Sequence, residues 1–339
     1  MFKKAFKHYK KKTLVPDVQD VIDFDLFEEN KSSYSWYNLV KPVNVFEKGT
    51  CQGHPLPAGL HPEHMWRCYK VLNHPGLLVI RNSFTSQGQR YWIARSLRDY
   101  PRAPSISNLD ANNLEVPILS DWWGELQNCS DVNIAQRIKV AMRWTTLGYH
   151  HNWDTKVYSE AMHSAFPSDL SSLCQYFSLA LGFNKFTSQA AIINYYPIGT
   201  TLSGHTDHSE LNREAPLFSF SFGQSAIFLI GGVSLEEQPT AIYLCSGDVL
   251  IMSMEARLCY HAVPRVMKAD EEPWNSLYNT YTENNKEAVN TDLLDLVLYE
   301  QVKDEMFWIP FNRYINDSRI NINVRQVLPA GLLQIPLKY

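Results

Sequence analysis

Hydrophobic and polar positions follow two different periods along the chain, and the change falls near residue 188. Before it, apolar residues recur at helical spacing. Ile93, Leu97 and Tyr100 share one stripe, and Ser86 followed by Gln89 predicts a capping-box start for that helix. Arg90, Arg95 and Arg98 lie off the stripe, where they are expected to be exposed. Helices are also expected over 132–142 and 168–181, the second stopped by Gly182. LLVI at 77–80 reads as a buried strand, 30–75 as an irregular arm and 101–131 as loop-rich. After 188 come short runs rich in β-branched and aromatic residues: AAIINYY, LFSFSF, AIFLI, AIYLC, VLIMS and INVRQV. Gly223, Gly231, Gly232 and the pair Gly247-Asp248 separate them. The succession predicts an α+β protein: a double-stranded β-helix, or jelly roll, with buttressing helices and an N-terminal helical extension. The expected layout is an extension over 1–75, one main domain over 76–328 with an insertion at about 267–310, and a tail over 329–339.

Composition narrows the class. A chain of 339 residues with 45% hydrophobic and 13% aromatic content can bury a large core. The formal charge of −4 excludes binding nucleic acid through an overall positive field and leaves local basic surfaces open. Six scattered cysteines without a CxxC pair fit a reducing compartment and offer no structural zinc site. No apolar run approaches the roughly 18 residues a membrane span needs. The expected location is intracellular: nucleus, cytoplasm or mitochondrion. MFKKAFKHYKKKTL carries six lysines, with Phe2, Phe6 and Tyr9 on one helical face. It reads as an amphipathic helix docked by its aromatics, or as a phosphate-contacting element. As a mitochondrial address it lacks arginine and serine.

The chemistry concentrates in NYYPIGTTLSGHTD at 194–207. Side chains at i and i+2 of an extended segment share a face, so His205 and Asp207 can share one ion. His261 in LCYHAVPRV is the candidate third ligand, and His208 is a bystander. Two imidazoles and a carboxylate form the facial triad of non-haem Fe(II) oxygenases. Taken singly, an HxD pair also fits a turn and a lone histidine a satisfied core position. An independent signal lies in RININVR: Arg319, Asn321, Asn323 and Arg325 occupy one face of a strand by strict alternation. Such a face fits a half-exposed edge strand, but inside a barrel it requires an anion, and arginine grips carboxylates with two parallel hydrogen bonds.

The order Asn194, Tyr196, His205, Asp207, His261, Arg319, Asn321, Arg325 resembles the AlkB family of Fe(II)/2-oxoglutarate dioxygenases. LFSFSFGQSAIFLIGG, SGDVLIMS, HAVPRV, GYHHNWD and FPSDL are similar to the animal homologue 1 group of that family. The resemblance covers roughly residues 1 to 328. It implies that His205, Asp207 and His261 hold Fe(II). It implies too that Arg319 and Tyr196 bind the distal carboxylate of 2-oxoglutarate, that Asn194 and Asn321 contact its chelating end, and that Arg325 closes the same face. Dioxygen is the second co-substrate. The implied activity removes or oxidises methyl groups on bases in tRNA or DNA, such as tRNA 1-methyladenine or 5-methylcytosine and DNA N6-methyladenine. Bacterial AlkB proteins carry an acid two residues after the metal aspartate; Ser209 stands there in this chain, so a preference for cationic bases does not carry over.

An enzyme acting on a base must take it out of its stack and hold it against aromatic or apolar surfaces. Trp144, Tyr149 and Trp153 are candidate walls, with His150 and His151 as further substrate contacts or loop residues. Lys3, Lys4, Lys10, Lys11, Lys12, Arg90, Arg95 and Arg98 are candidate phosphate contacts. Two other readings share these features: a protein hydroxylase or histone demethylase of the same fold, and a non-catalytic nucleic-acid-binding module. The second has no need of eight matching positions.

Overall fold

Period-two alternation in the C-terminal half closes the strands into two facing sheets. The computed structural model describes residues 1–11, 17–44, 54–111, 115–275 and 291–336. The larger sheet runs β2 (Val40–Pro42), β3 (Arg67–Val71), β4 (Leu77–Arg81), β12 (Val249–Met252), β9 (Leu217–Gly223), β14 (Ser318–Arg325), β7 (Ala190–Pro197), β6 (Trp144–Gly148), β5 (Ile106–Ser107). The smaller runs β1 (Val21–Ile22), β11 (Thr240–Leu244), β10 (Ser225–Ile230), β13 (His261–Met267), β8 (Leu202–His205). Successive strands from β7 onward cross repeatedly from one sheet to the other, which is the winding of a jelly roll. The helices are α1 (Phe2–Lys10), α2 (Phe24–Glu28), α3 (Ser86–Ala94), α4 (Val116–Ser120), α5 (Trp122–Asn128), α6 (Val132–Ala141), α7 (Ser168–Ala180), α8 (Leu296–Gln301) and α9 (Glu305–Ile315). None of the described helices is long and apolar enough to cross a membrane.

The pattern LFSFSFG explains how one strand serves two environments. Phe218, Phe220 and Phe222 join the core beneath the helices, together with Trp92, Trp122, Phe177 and Phe311. Ser219 and Ser221 point the other way, and Ser219 lines the space between the sheets. On the neighbouring strand Ile320, Ile322 and Val324 join the helical side, so Arg319, Asn321, Asn323 and Arg325 face inward. A second core, including Leu217, Leu250 and Met252 of the larger sheet and Phe228, Ile230, Ile242 and Val263 of the smaller, binds the sheets to each other.

The outer face of the smaller sheet is covered by α1. Phe2 and Tyr9 are buried against Ile227, Leu229 and Ala262, as the amphipathic reading expected, while Lys3, Lys4, Lys7 and Lys10 are exposed. Phe2 approaches so closely because the sheet offers glycine there. A Cβ on Gly204 or Gly231 would lie 2.9 or 2.8 Å from its ring. Gly204 directly precedes His205, so the helix packs on the back of the strand whose front carries that histidine.

Several expectations need correction. Arg90, Arg95 and Arg98 are not free surface charges. Arg90 is 1% exposed, donates to the carbonyls of Trp274 and Val302, and stacks 4.8 Å from the Trp308 ring. Arg95 pairs with Asp169 at 2.7 Å, and Arg98 with Asp99 at 2.7 Å. The single-stripe reading failed because α8 and α9 pack across the second face of α3, so Gln87–Ala94 are all buried. The cap of α3 is Thr85, whose hydroxyl accepts from the Gly88 N–H, rather than Ser86. The supposed arm at 30–75 contributes β2 and β3 to the larger sheet. The segment 101–131 holds α4 and α5, helices too short to show a periodic pattern of their own. Of the expected insertion at 267–310, residues 276–290 lie outside the described residues, as does Lys12; the described part holds α8 and the start of α9, which pack on α3.

Replacing Phe2 by alanine is expected to cost about 3 kcal/mol, because the glycine-lined slot it leaves cannot collapse. Urea unfolding measures this directly, and a loss below about 1 kcal/mol would show that α1 is not anchored by its first aromatic residue.

Candidate metal centre and co-substrate site

Between the sheets lies a cavity of about 500 Å³. At one side, His205 ends β8 and pairs across the ladder with His261, which opens β13. Asp207 follows in the loop just beyond β8, so the pair does not lie wholly on a strand as the spacing argument assumed. The three side chains still converge. One ligand atom from each lies within 4.8 Å of the others. The Nε2 atoms of His205 and His261 stand 3.9 and 3.8 Å from the two Asp207 oxygens.

Backbone carbonyls orient both rings. His205 Nδ1 lies 2.9 Å from the Ser203 carbonyl and His261 Nδ1 3.1 Å from that of Cys259. Donation there places the Nδ1 proton on the carbonyl side and leaves the Nε2 lone pair for an ion. Burial, reinforced by His205, pushes His261 down to about 4, so it is neutral at ordinary pH. Burial alone would raise Asp207, but Arg325 at 2.9 Å, with His261 and His205, holds it well below the usual carboxylate range. A neutral imidazole at His261 and an ionised carboxylate at Asp207 are donor states a divalent metal needs.

The opposite wall comes from β7 and β14, whose register sets Arg319 against Tyr196 and Asn321 against Asn194. Arg319 is 1% exposed; burial pushes its pKa down to about 10. One of its nitrogens donates to Ser221 Oγ at 2.9 Å, but Nε and Nη1 have no partner, and neither does the buried Tyr196 hydroxyl. A buried cation with unused donors is costly unless an anion completes it. Asn321 donates to Ser219 Oγ and the Phe220 carbonyl, and its own oxygen accepts from Asn323. The residues present fit a metal with a short dicarboxylate spanning from it to Arg319. Arg325 is engaged differently, with Asp207 and with Glu210 at 3.1 Å.

The substrate-side expectations divide. His151 and Trp153 line the cavity, joined by Lys156 and Tyr158, which sequence reasoning missed. Trp144 stands behind Trp153, ring centres 5.0 Å apart, and is not among the lining residues. Tyr149 is buried in a separate cluster, stacked on His163 and bonded to Glu160. His150 is buried against Thr146. The RWTTLGYHHNW stretch therefore sends only its end to the cavity, because β6 stops at Gly148 and the chain turns there. Ser209 Oγ meets His151 Nε2 at 3.0 Å, so no acid at that position favours a cationic base. Glu210 and Arg257, both buried, were also missed; Ser219 and Ser221 could have been found from the alternation of LFSFSFG.

Residues 76–325 match the 2OG-Fe(II) oxygenase superfamily. The chain belongs to that superfamily. The resemblance to AlkB proteins holds across nearly the whole sequence. "Nucleic acid dioxygenase ALKBH1" of Mus musculus is 36% identical over 337 residues, covering 97% of this chain and 84% of that one. Its Homo sapiens counterpart is 33% identical, covering 96% and 84%. "DNA N(6)-methyladenine demethylase ALKBH1A" of Arabidopsis thaliana is 31% identical over 284 residues, 75% of this oxygenase and 76% of the plant protein.

The histidines give the oxygenase a pH dependence of stability. His151, lowered to about 4 by burial and then by Arg325, joins His261 in resisting protonation. An unfolded histidine takes up its proton near 6.5, so below that pH the unfolded chain binds more protons. Stability of the metal-free protein is then full above 6.5 and lost as pH falls toward 4. The urea midpoint should decline over that window and less steeply in His151→Asn; a midpoint flat from pH 7 to 5 contradicts the burial argument.

Proposed function

We propose that this oxygenase removes or oxidises methyl groups on nucleic-acid bases, with His205, Asp207 and His261 holding Fe(II). The observation that carries the reading is the buried Arg319 guanidinium with two unpaired nitrogens, beside the unpaired Tyr196 hydroxyl, in the cavity that also contains the convergent His-Asp-His group. Arg319 and Tyr196 would take the distal carboxylate of 2-oxoglutarate, while Asn194 and Asn321 orient the end nearer the metal. When bound, Fe(II), 2-oxoglutarate and dioxygen supply oxidation of a substrate C–H bond, coupled to decarboxylation of the 2-oxo acid to succinate. Hydroxylation of a methyl on nitrogen then releases formaldehyde. The chain's own part is to orient both partners and exclude water.

Relatives named for action on nucleic acid, including one named a tRNA demethylase at 29% identity, support the substrate class. So does the cavity rim. Trp153 is 39% exposed, a surface on which an extruded base can stack, and Lys156, 5.6 Å from its ring, would contact a phosphate of the same strand. The exposed lysines of α1 sit on the outer face of the smaller sheet and would serve a strand that wraps the β8 edge. The reading places the enzyme wherever methylated tRNA or DNA is found: nucleus, cytoplasm or mitochondrion.

Uncoupled 2-oxoglutarate turnover should vanish in His205→Ala, and Arg319→Met should raise the KM for 2-oxoglutarate by roughly 100-fold or more. Turnover indifferent to both changes contradicts the site assignment. Mass spectrometry of nucleosides and histone peptides incubated with the enzyme decides the substrate; change confined to peptides would favour a protein hydroxylase or demethylase instead.

A further inference from the structure

Asp207 is held from two sides. Its carboxylate accepts from Arg325 Nη2 at 2.9 Å, and its backbone carbonyl accepts from Arg257 Nη1 at 2.8 Å. Both guanidiniums share one acid. Arg257 Nη2 lies 2.9 Å from Glu210 Oε2, and Arg325 Nε lies 3.1 Å from Glu210 Oε1. The contacts close a ring that leaves the Asp207 side chain, passes through Arg325, Glu210 and Arg257, and returns to the Asp207 main chain. Its members come from the loop after β8, the turn at Met254–Leu258 before β13, and the end of β14. The side chains of Glu210 and Arg257 are each 2% exposed, and the Tyr158 hydroxyl donates to Glu210 at 3.3 Å.

Two features make this ring more than a fold-stabilising cluster. It grips the peptide and the carboxylate of one residue together, which leaves Asp207 little freedom to turn away from the two imidazoles. It is also neutral, two guanidiniums against two carboxylates. Without the Glu210 charge, Arg257 and Arg325 would leave an uncompensated buried positive charge beside the position a divalent cation must occupy, and charges in such surroundings are weakly screened.

We propose that Glu210 and Arg257 are positioning residues of the metal centre, together bracing Asp207, with Glu210 also cancelling the arginine charge so that a divalent ion binds tightly. The proposal rests on the reading of Asp207 as a metal ligand. Neither residue touches the ion; each acts through Asp207 and Arg325. Groups that orient a ligand in this way typically change metal affinity by about 10- to 100-fold when removed.

Co(II), whose visible absorption reports its coordination, serves as the probe, titrated into the full chain with near-UV circular dichroism to follow folding. Glu210→Gln should weaken Co(II) binding by roughly 10- to 100-fold in protein that remains folded, with Glu210→Asp recovering part of the loss. Arg257→Met should also weaken it, but less, because losing the brace is partly offset by removing a positive charge beside the ion. Folded Glu210→Gln and Arg257→Met proteins that both bind Co(II) within about two-fold of the parent would overturn the proposal, since a cluster that only stabilises the fold predicts that result. Should Glu210→Gln not fold, Arg257→Lys decides: it keeps the charge but cannot reach both Glu210 and the Asp207 carbonyl, so weaker binding supports the brace and unchanged binding refutes it. A Co(II) spectrum that survives Asp207→Ala unaltered would overturn the ligand assignment itself, an outcome separate from failure of the brace alone.

Discussion

The site depends on the in-register antiparallel pairing of β7 with β14. Because side chains alternate strictly across a sheet, setting Arg319 against Tyr196 fixes Asn321 against Asn194 and sends all four to the same side. A slip of one residue would bury Ile320 and Ile322 in the cavity and press two arginines into the aromatic core under the helices. The core enforces the register: Ile320, Ile322 and Val324 are fully buried beside Phe218, Phe220 and Phe222. Hydrophobic packing on one face of the sheet therefore holds a polar, cationic face in position on the other.

The two walls of the cavity solve different problems. On the smaller sheet the difficulty is orientation, met by carbonyls that fix the histidine rings and by a ring of ions that fixes the aspartate. On the larger sheet the difficulty is unbalanced charge. Arg319 is left with donors that protein atoms do not satisfy, so part of its desolvation cost remains until an anion arrives. An incomplete wall is what a site needs if its co-substrate must enter and leave in each cycle.

The jelly roll and its polar face were legible because both are written in local alternation, at LFSFSF and at RININVR. His205, Asp207 and His261 could be grouped because the cationic face at RININVR and the family resemblance added an independent requirement, although Asp207 lies past the end of its strand. What was not legible depends on distant partners. Arg90 and Arg95 looked solvent-facing because the helices that cover them, and Asp169, lie about 75 or more residues away in sequence. Glu210 and Arg257 have no local pattern at all, since their pairing exists only once β8, β13 and β14 have assembled. Tyr149 and His150 were misplaced for the opposite reason: the chain turns immediately after β6, and proximity in sequence to Trp153 gave them no share in the cavity.

The central claim, that one cavity holds a ferrous ion and a 2-oxo dicarboxylate in contact, is tested most directly by anaerobic visible spectroscopy. A 2-oxo acid chelating Fe(II) gives a charge-transfer band that neither component shows alone. The expected result is a saturable band when Fe(II) and 2-oxoglutarate are both added to the protein, and none when succinate replaces 2-oxoglutarate. Absence of the band with both components at saturating concentration would contradict the account.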